Sequence, residues 1–262
     1  MRVIRKPELV TEVLMNNVVW VKTGRIWDVL APLLGDGLIL ANGEEHKKQR
    51  ASIKNSLSKV QGIEDAIKFY NMPARTVNLA DEMMLFVETI VLDCLFQAQL
   101  PYLGPSIREF LDSVPYRLLG FSCGSKSLEK LEQIVNLPIP KWMPDNLTVK
   151  QKRDQLLTLY VAAVETTAAS LTWKLCGKEE LPIWFLPRQN ILTGETVILL
   201  LSQEHMFGMG VRKCLGEHLA NQITKTVLQT WRFEIDKSSN LKPKFGLTRW
   251  PKKAIGKLVK LN

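Results

Sequence analysis

One cysteine constrains this chain more than any other residue. Cys214 ends the glycine-punctuated run Phe207-Gly208-Met209-Gly210-Val211-Arg212-Lys213 and directly precedes Leu215-Gly216-Glu217, where a helix begins. A helix N-terminus carries partial positive charge and free N–H groups, and both stabilise a thiolate. Glycines let the loop backbone approach whatever the sulfur holds, as a flat cofactor pressed against a loop requires. The other three cysteines, Cys94, Cys123 and Cys176, form no C-x-x-C pair, and no Cys/His cluster has zinc spacing. All four read as reduced thiols of an intracellular protein, cytoplasmic or peripherally membrane-associated.

The remaining pattern is mainly helical. Pro7 to Met15 suits a short helix with proline in its first turn, entered straight from Met1–Lys6 without a secretory signal. Asn42-Gly43-Glu44-Glu45 reads as a capped helix start, Asn42 accepting from first-turn N–H groups. Asn78 to Gln97 has the spacing of a mostly buried helix, and Gln151 to Lys174 is the longest helical stretch. Pro101 to Pro144 is rich in proline, so short helices are expected there. Ile183 to Leu200 reads as strand and turn, the Thr193-Gly194 step giving the turn. Leu215 to Trp231 is a helix with Leu215, Leu219, Ile223, Val227 and Leu228 on one side. The lysine-rich tail from Phe233 suits small strands.

With 262 residues and 46% hydrophobic content, the chain can bury a sizeable core. Its net charge of +9 favours acidic partners. The lysines are scattered and no nucleic-acid motif is present, which argues against nucleic acid. No apolar stretch is long enough to span a bilayer; the longest, Met83 to Phe96, is broken by Glu88 and Asp93.

The order F-x-x-G-x-R-x-C-x-G, carried by Phe207, Gly210, Arg212, Cys214 and Gly216, resembles the haem-binding signature of the cytochrome P450 family. The resemblance implies haem b with Cys214 as the thiolate ligand of iron, Arg212 on a haem propionate and Phe207 beside the sulfur. Ala162-Ala163-Val164-Glu165-Thr166-Thr167 is similar to the family's distal-helix motif A/G-G-x-D/E-T-T, with Ala163 in place of the usual glycine. There Glu165 and Thr166 would form the acid–alcohol pair that delivers protons to dioxygen. His46 and Arg50, at i and i+4, resemble the family's propionate-binding W/H-x-x-x-R helix, and Arg188 resembles a further propionate arginine. The implied fold is a shortened P450-like one, mainly α with a small β region, residues 1–262 forming one haem-binding domain. The implied activity is insertion of one oxygen atom of O2 into a lipophilic small molecule. Electrons would come from an acidic ferredoxin or a flavoprotein reductase, and peripheral membrane contact is allowed.

The chain departs from the family by being shortened near 97–150, 174–190 and 200–206. No glutamate is followed three residues later by arginine, so the family's E-x-x-R pair, which helps hold the segment bracing the cysteine loop, is absent. That absence motivates a second reading, a non-catalytic haem-binding remnant.

Overall fold

The computed structural model describes residues 1–261 apart from 58, 59, 61, 71, 73, 74, 142 and 245. In chain order the elements are β1 (Arg2–Ile4), α1 (Pro7–Met15), β2 (Trp20–Val21), α2 (Arg25–Asp28), α3 (Ala31–Leu34), α4 (Gly43–Leu57), α5 (Ile63–Phe69), β3 (Thr76–Asn78) and α6 (Leu79–Val91). They continue with α7 (Gly104–Leu118), α8 (Ser125–Leu131), α9 (Val149–Leu175), β4 (Phe185–Asn190), β5 (Thr196–Leu200), α10 (Glu217–Thr230), β6 (Trp231–Ile235), β7 (Asn240–Lys244), β8 (Trp250–Lys253) and β9 (Ile255–Lys260). The architecture is mainly α with small sheets.

Helix α9 is the axis. Thr148 and Gln151 close a capping box at its start, satisfying N–H groups that the helix itself leaves open. Apolar and small residues recur on all sides, so α9 runs through the core rather than along its surface. Its buried polar residues are anchors. Asp154 accepts from the Asp36 amide at 2.8 Å, and Gln155 accepts from the Leu38 amide at 3.1 Å. The backbone of residues 35–38 lies directly on α9, and a Cβ at Gly37 would stand 2.1 Å from the Thr158 hydroxyl oxygen and 2.8 Å from the Leu34 carbonyl. Glycine is therefore required there for close approach.

Buried Glu88 of α6 joins three helices. It accepts from the amides of Leu103 and Gly104 at the start of α7, at 2.7 and 2.8 Å, and from the Tyr160 hydroxyl of α9 at 2.6 Å. A carboxylate at a helix N-terminus complements both the open N–H groups and the dipole. α6 opens on an Asn78 cap and ends in a π-helical turn, Leu92–Phe96.

Three sequence expectations need correction. α7 spans 15 residues of the supposedly proline-broken region. Pro105 lies at its tolerant start, and the stripe Ile107, Phe110, Leu111 and Val114 buries strongly enough to carry the helix through Pro115. Met1–Lys6 does not lead straight into a helix, because β1 pairs in parallel with β5. Asn42 does not cap α4. Its side-chain oxygen accepts from the Lys22 amide and Arg212, and its amide group donates to Lys22 and Leu40 carbonyls.

One sheet has the order β1-β5-β4-β2, another β3-β9-β6, and β7 pairs with β8. The main core surrounds α6 and α9. A smaller core, Ile4, Val10, Val13, Leu14, Val197 and Leu199, lies between α1 and the first sheet, with Met209 of the cysteine loop packed on it. Only residues 176–184 separate α9 from β4, and a 3-10 turn, Gln203–His205, leads from β5 to the loop.

Candidate functional site

α4, α9 and the loop before α10 enclose a cavity of about 350 Å³ with Cys214 in its wall. α9 presents Leu159, Ala162, Ala163, Thr166 and Ser170 to it, the i, i+3, i+4 spacing of one helix face. The Thr166 hydroxyl donates to the Ala162 carbonyl at 2.7 Å. α4 contributes His46 and Arg50, and the loop contributes Phe207, Arg212 and Gly216.

Cys214 exposes surface to this cavity, yet the protein closes around it enough that burial raises its thiol pKa. Glu217 adds to the rise. The backbone N–H groups of Gly216 and Glu217 and the Arg50 guanidinium act in the opposite direction, as a sulfur at a helix start should experience. The loop is closed by the Cys214 amide donating to the Phe207 carbonyl at 2.7 Å. Gly210 has φ +60°, and its close approach is towards α1, where an added Cβ would lie 3.2 Å from Met15 Sδ.

Positive charge accumulates on one side. Arg212 donates through Nη2 to the Ala41 carbonyl at 2.6 Å and to Asn42 Oδ1 at 2.8 Å, while its buried Nη1 has no partner among the described residues. Arg50 donates to the Lys213 carbonyl. Lys22 donates to the Ile39 carbonyl at 3.1 Å and lies 4.9 Å from the Trp27 ring centroid. Burial, then neighbouring cations, pushes Lys22 well below the usual lysine range, Arg188 and Arg212 down to about 10 and His46 down to about 4. Among the described residues lining the cavity there is no carboxylate. Arg188 belongs to this cluster electrostatically but not to the cavity wall; it is buried in β4 and donates to the Pro187 carbonyl at 2.8 Å.

Glu165 faces elsewhere. One step round α9 from Thr166, it lies in a separate cavity beside β8, where the Trp250 indole N–H donates to its Oε1 at 2.8 Å. Its Oε2 has no hydrogen-bond partner among the described residues. Burial raises its pKa to about 7, against the lowering effect of the Trp250 hydrogen bond.

No family model matches the chain. Cyclooctatin synthase of Streptomyces melanosporofaciens is 23% identical over 232 residues, covering 70% of this chain and 49% of the relative, so the chain spans about half the length of that curated relative. A six-coordinated cytochrome P450 from Thermus thermophilus superposes with a TM-score of 0.73 at 19% identity, covering 98% of this chain and 91% of the other. A zebrafish cytochrome P450 gives 0.74 at 14% identity, covering 99% and 93%. The chain has the cytochrome P450 fold. The retinoic acid-bound cyanobacterial CYP120A1 shares it as well, with a TM-score of 0.73 at 16% identity, covering 99% and 89%.

In this P450 fold, α9 and the Cys214 loop face one another across the cavity. Among the described residues no group of three or more His, Cys, Asp or Glu could hold a metal ion directly, so a metal at Cys214 would bring its other ligands with it. Lys213 and Lys174 pair with Glu217 and Glu179, but an apolar cavity with a thiol on one wall and, on another, Lys22, Arg50 and Arg212 with no carboxylate among the described residues lining it fits haem, whose two carboxylates would meet those cations. Sequence reasoning missed Lys22 and the inward role of Asn42. Lys22 follows the apolar run Val18-Val19-Trp20-Val21, and nothing local shows that it turns inward.

Proposed function

We propose that residues 1–262 form one haem-binding domain that inserts one oxygen atom of O2 into a lipophilic small molecule. The observation that carries this reading is the cavity itself, with Cys214 and Thr166 on its walls beside Lys22, Arg50 and Arg212, and no carboxylate among the described residues lining it. Bound haem supplies oxygen activation, to which a thiolate ligand contributes by donating electron density to iron. Cys214 would be the ligand, its charge stabilised by the Gly216 and Glu217 amides and by Arg50. Arg212, Arg50, His46 and Lys22 would hold the carboxylates. Arg188, lying behind them, would add charge without contact. Phe207 and Gly216 would flank the sulfur, and Gly210 would shape the loop from the α1 side.

Thr166 is the hydroxyl positioned to hold a proton or a water over the cavity. Burial raises the Glu165 pKa to about 7, within the range in which a carboxyl group can exchange protons near neutral pH. Because Glu165 faces the other side of α9, its proton would reach the cavity only after a rotation of its side chain or through intervening water. Leu38, Val91, Leu95 and Leu159 in the cavity wall favour an apolar substrate. The retinoic acid-bound CYP120A1, of the same fold, supports the same class. The net charge of +9 and the exposed Lys213 beside the loop suit an acidic ferredoxin or flavoprotein reductase, whereas Arg212 turns inward and adds little to that surface. No helix among the described residues is long and apolar enough to cross a membrane.

The test is turnover of haem-loaded protein under ¹⁸O2 with a reductase–ferredoxin pair, reductant and a panel of lipophilic compounds. The expected product carries one labelled oxygen and is lost in Cys214→Ala. A fully haem-loaded, reducible sample that yields no labelled product would favour the non-catalytic haem-binding alternative.

A further inference from the structure

The brace of the cysteine loop has to be found elsewhere in a chain without the E-x-x-R pair. His205 stands two residues before Phe207 and is completely buried. Its Nδ1 accepts from the Ser202 amide at 3.3 Å and meets the Ser202 hydroxyl at 2.6 Å. A backbone N–H can only donate, so this pattern assigns the ring proton to Nε2. Nε2 then donates to the Thr11 hydroxyl of α1 at 3.0 Å, and that hydroxyl in turn donates to Met209 Sδ at 3.6 Å. The His205 carbonyl accepts from the Gly208 amide at 2.9 Å. Met209 packs on the smaller core, and Gly210 rests against Met15. One imidazole thus ties the end of the β5 segment, helix α1 and the first half of the Cys214 loop together.

We propose that His205, through Thr11 and Ser202, is the positioning residue that holds the Cys214 loop in place, the role the family gives to the missing ion pair. The inference rests on Cys214 being the haem ligand for its consequence, but not for its geometry. Its logic is that of any outer group that orients a ligand-bearing residue: it touches no cofactor, yet the ligand's chemistry depends on it.

The experiment uses the full chain with Thr11→Val, Thr11→Ser and His205→Ala, and two readouts. The first, on haem-free protein, is the iodoacetamide alkylation rate of Cys214, resolved by peptide mass spectrometry. The second, at matched haem content, is the fraction of the reduced carbon monoxide complex in the red-shifted, thiolate-ligated band. Thr11→Val and His205→Ala should raise the alkylation rate about tenfold and shift most of the complex to the shorter-wavelength band, while Thr11→Ser, which keeps the hydroxyl, should match the parent. Should His205→Ala fail to fold, the Thr11 pair still decides. Parent-like behaviour of Thr11→Val in both readouts overturns the proposal. If the parent itself lacks the red-shifted band, the ligand reading has failed, and alkylation of haem-free protein alone decides the brace.

Discussion

Replacing Arg212 with leucine should weaken haem binding about a hundredfold or more while leaving the stability of haem-free protein within about 1 kcal/mol of the parent. Arg212 is held by two hydrogen bonds through one nitrogen, has no partner among the described residues for its other terminal nitrogen and shares its surroundings with Arg50. Losing two hydrogen bonds costs about 2 kcal/mol, and relief of burying an underpaired cation among cations offsets much of it. With a haem carboxylate present, the same residue becomes half of a buried charge pair, and its removal strands the other half. Soret titration gives the affinity and urea unfolding the stability. A loss of about 3 kcal/mol of stability with unchanged haem affinity would make Arg212 a structural arginine instead.

Glu165→Gln should leave stability near pH 4 unchanged and raise it at pH 8. The folded protein keeps the Glu165 proton up to about pH 7, whereas the unfolded chain releases it near the ordinary value of 4.5. Between those limits the native state binds more protons, so stability falls as pH rises, by roughly 3 kcal/mol in total at about 1.4 kcal/mol per unit. Glutamine cannot ionise and removes that loss. His46 has the opposite sign: with its pKa lowered to about 4 from 6.5, the unfolded chain binds the extra proton, and stability rises with pH through that window. The two slopes offset one another in the parent, and Glu165→Gln should expose the His46 rise. Urea unfolding from pH 4 to 8 tests this; a variant less stable than the parent at pH 8 would contradict it.

What could be read in advance was what lies close together in sequence. The Cys214 loop, its glycines and the following helix form one short segment, and the i, i+4 pair His46 and Arg50 shares one turn of α4. The long helix showed in its composition, and Ala163 and Thr166 of its Ala162–Thr167 segment line the cavity. The direction of Glu165 was not legible, because only the packing of Trp250, 85 residues away, decides which side of α9 takes the carboxyl. The roles of Lys22, Asn42 and His205 escaped notice for the same reason. Their partners Ile39, Arg212 and Thr11 come from other elements, and a lone histidine or asparagine in a loop has no spacing to mark it. α7 was masked by its prolines, although its apolar stripe has helical period.

The most direct measurement is the absorption spectrum of haem-loaded protein after reduction and addition of carbon monoxide, beside the same preparation of Cys214→Ala. The expected result is the red-shifted Soret band of a thiolate-ligated haem in the parent and its complete absence in the variant. A parent spectrum at the shorter wavelength of a thiol- or histidine-ligated haem, or identical spectra from both proteins, would contradict the assignment of Cys214 as the iron ligand.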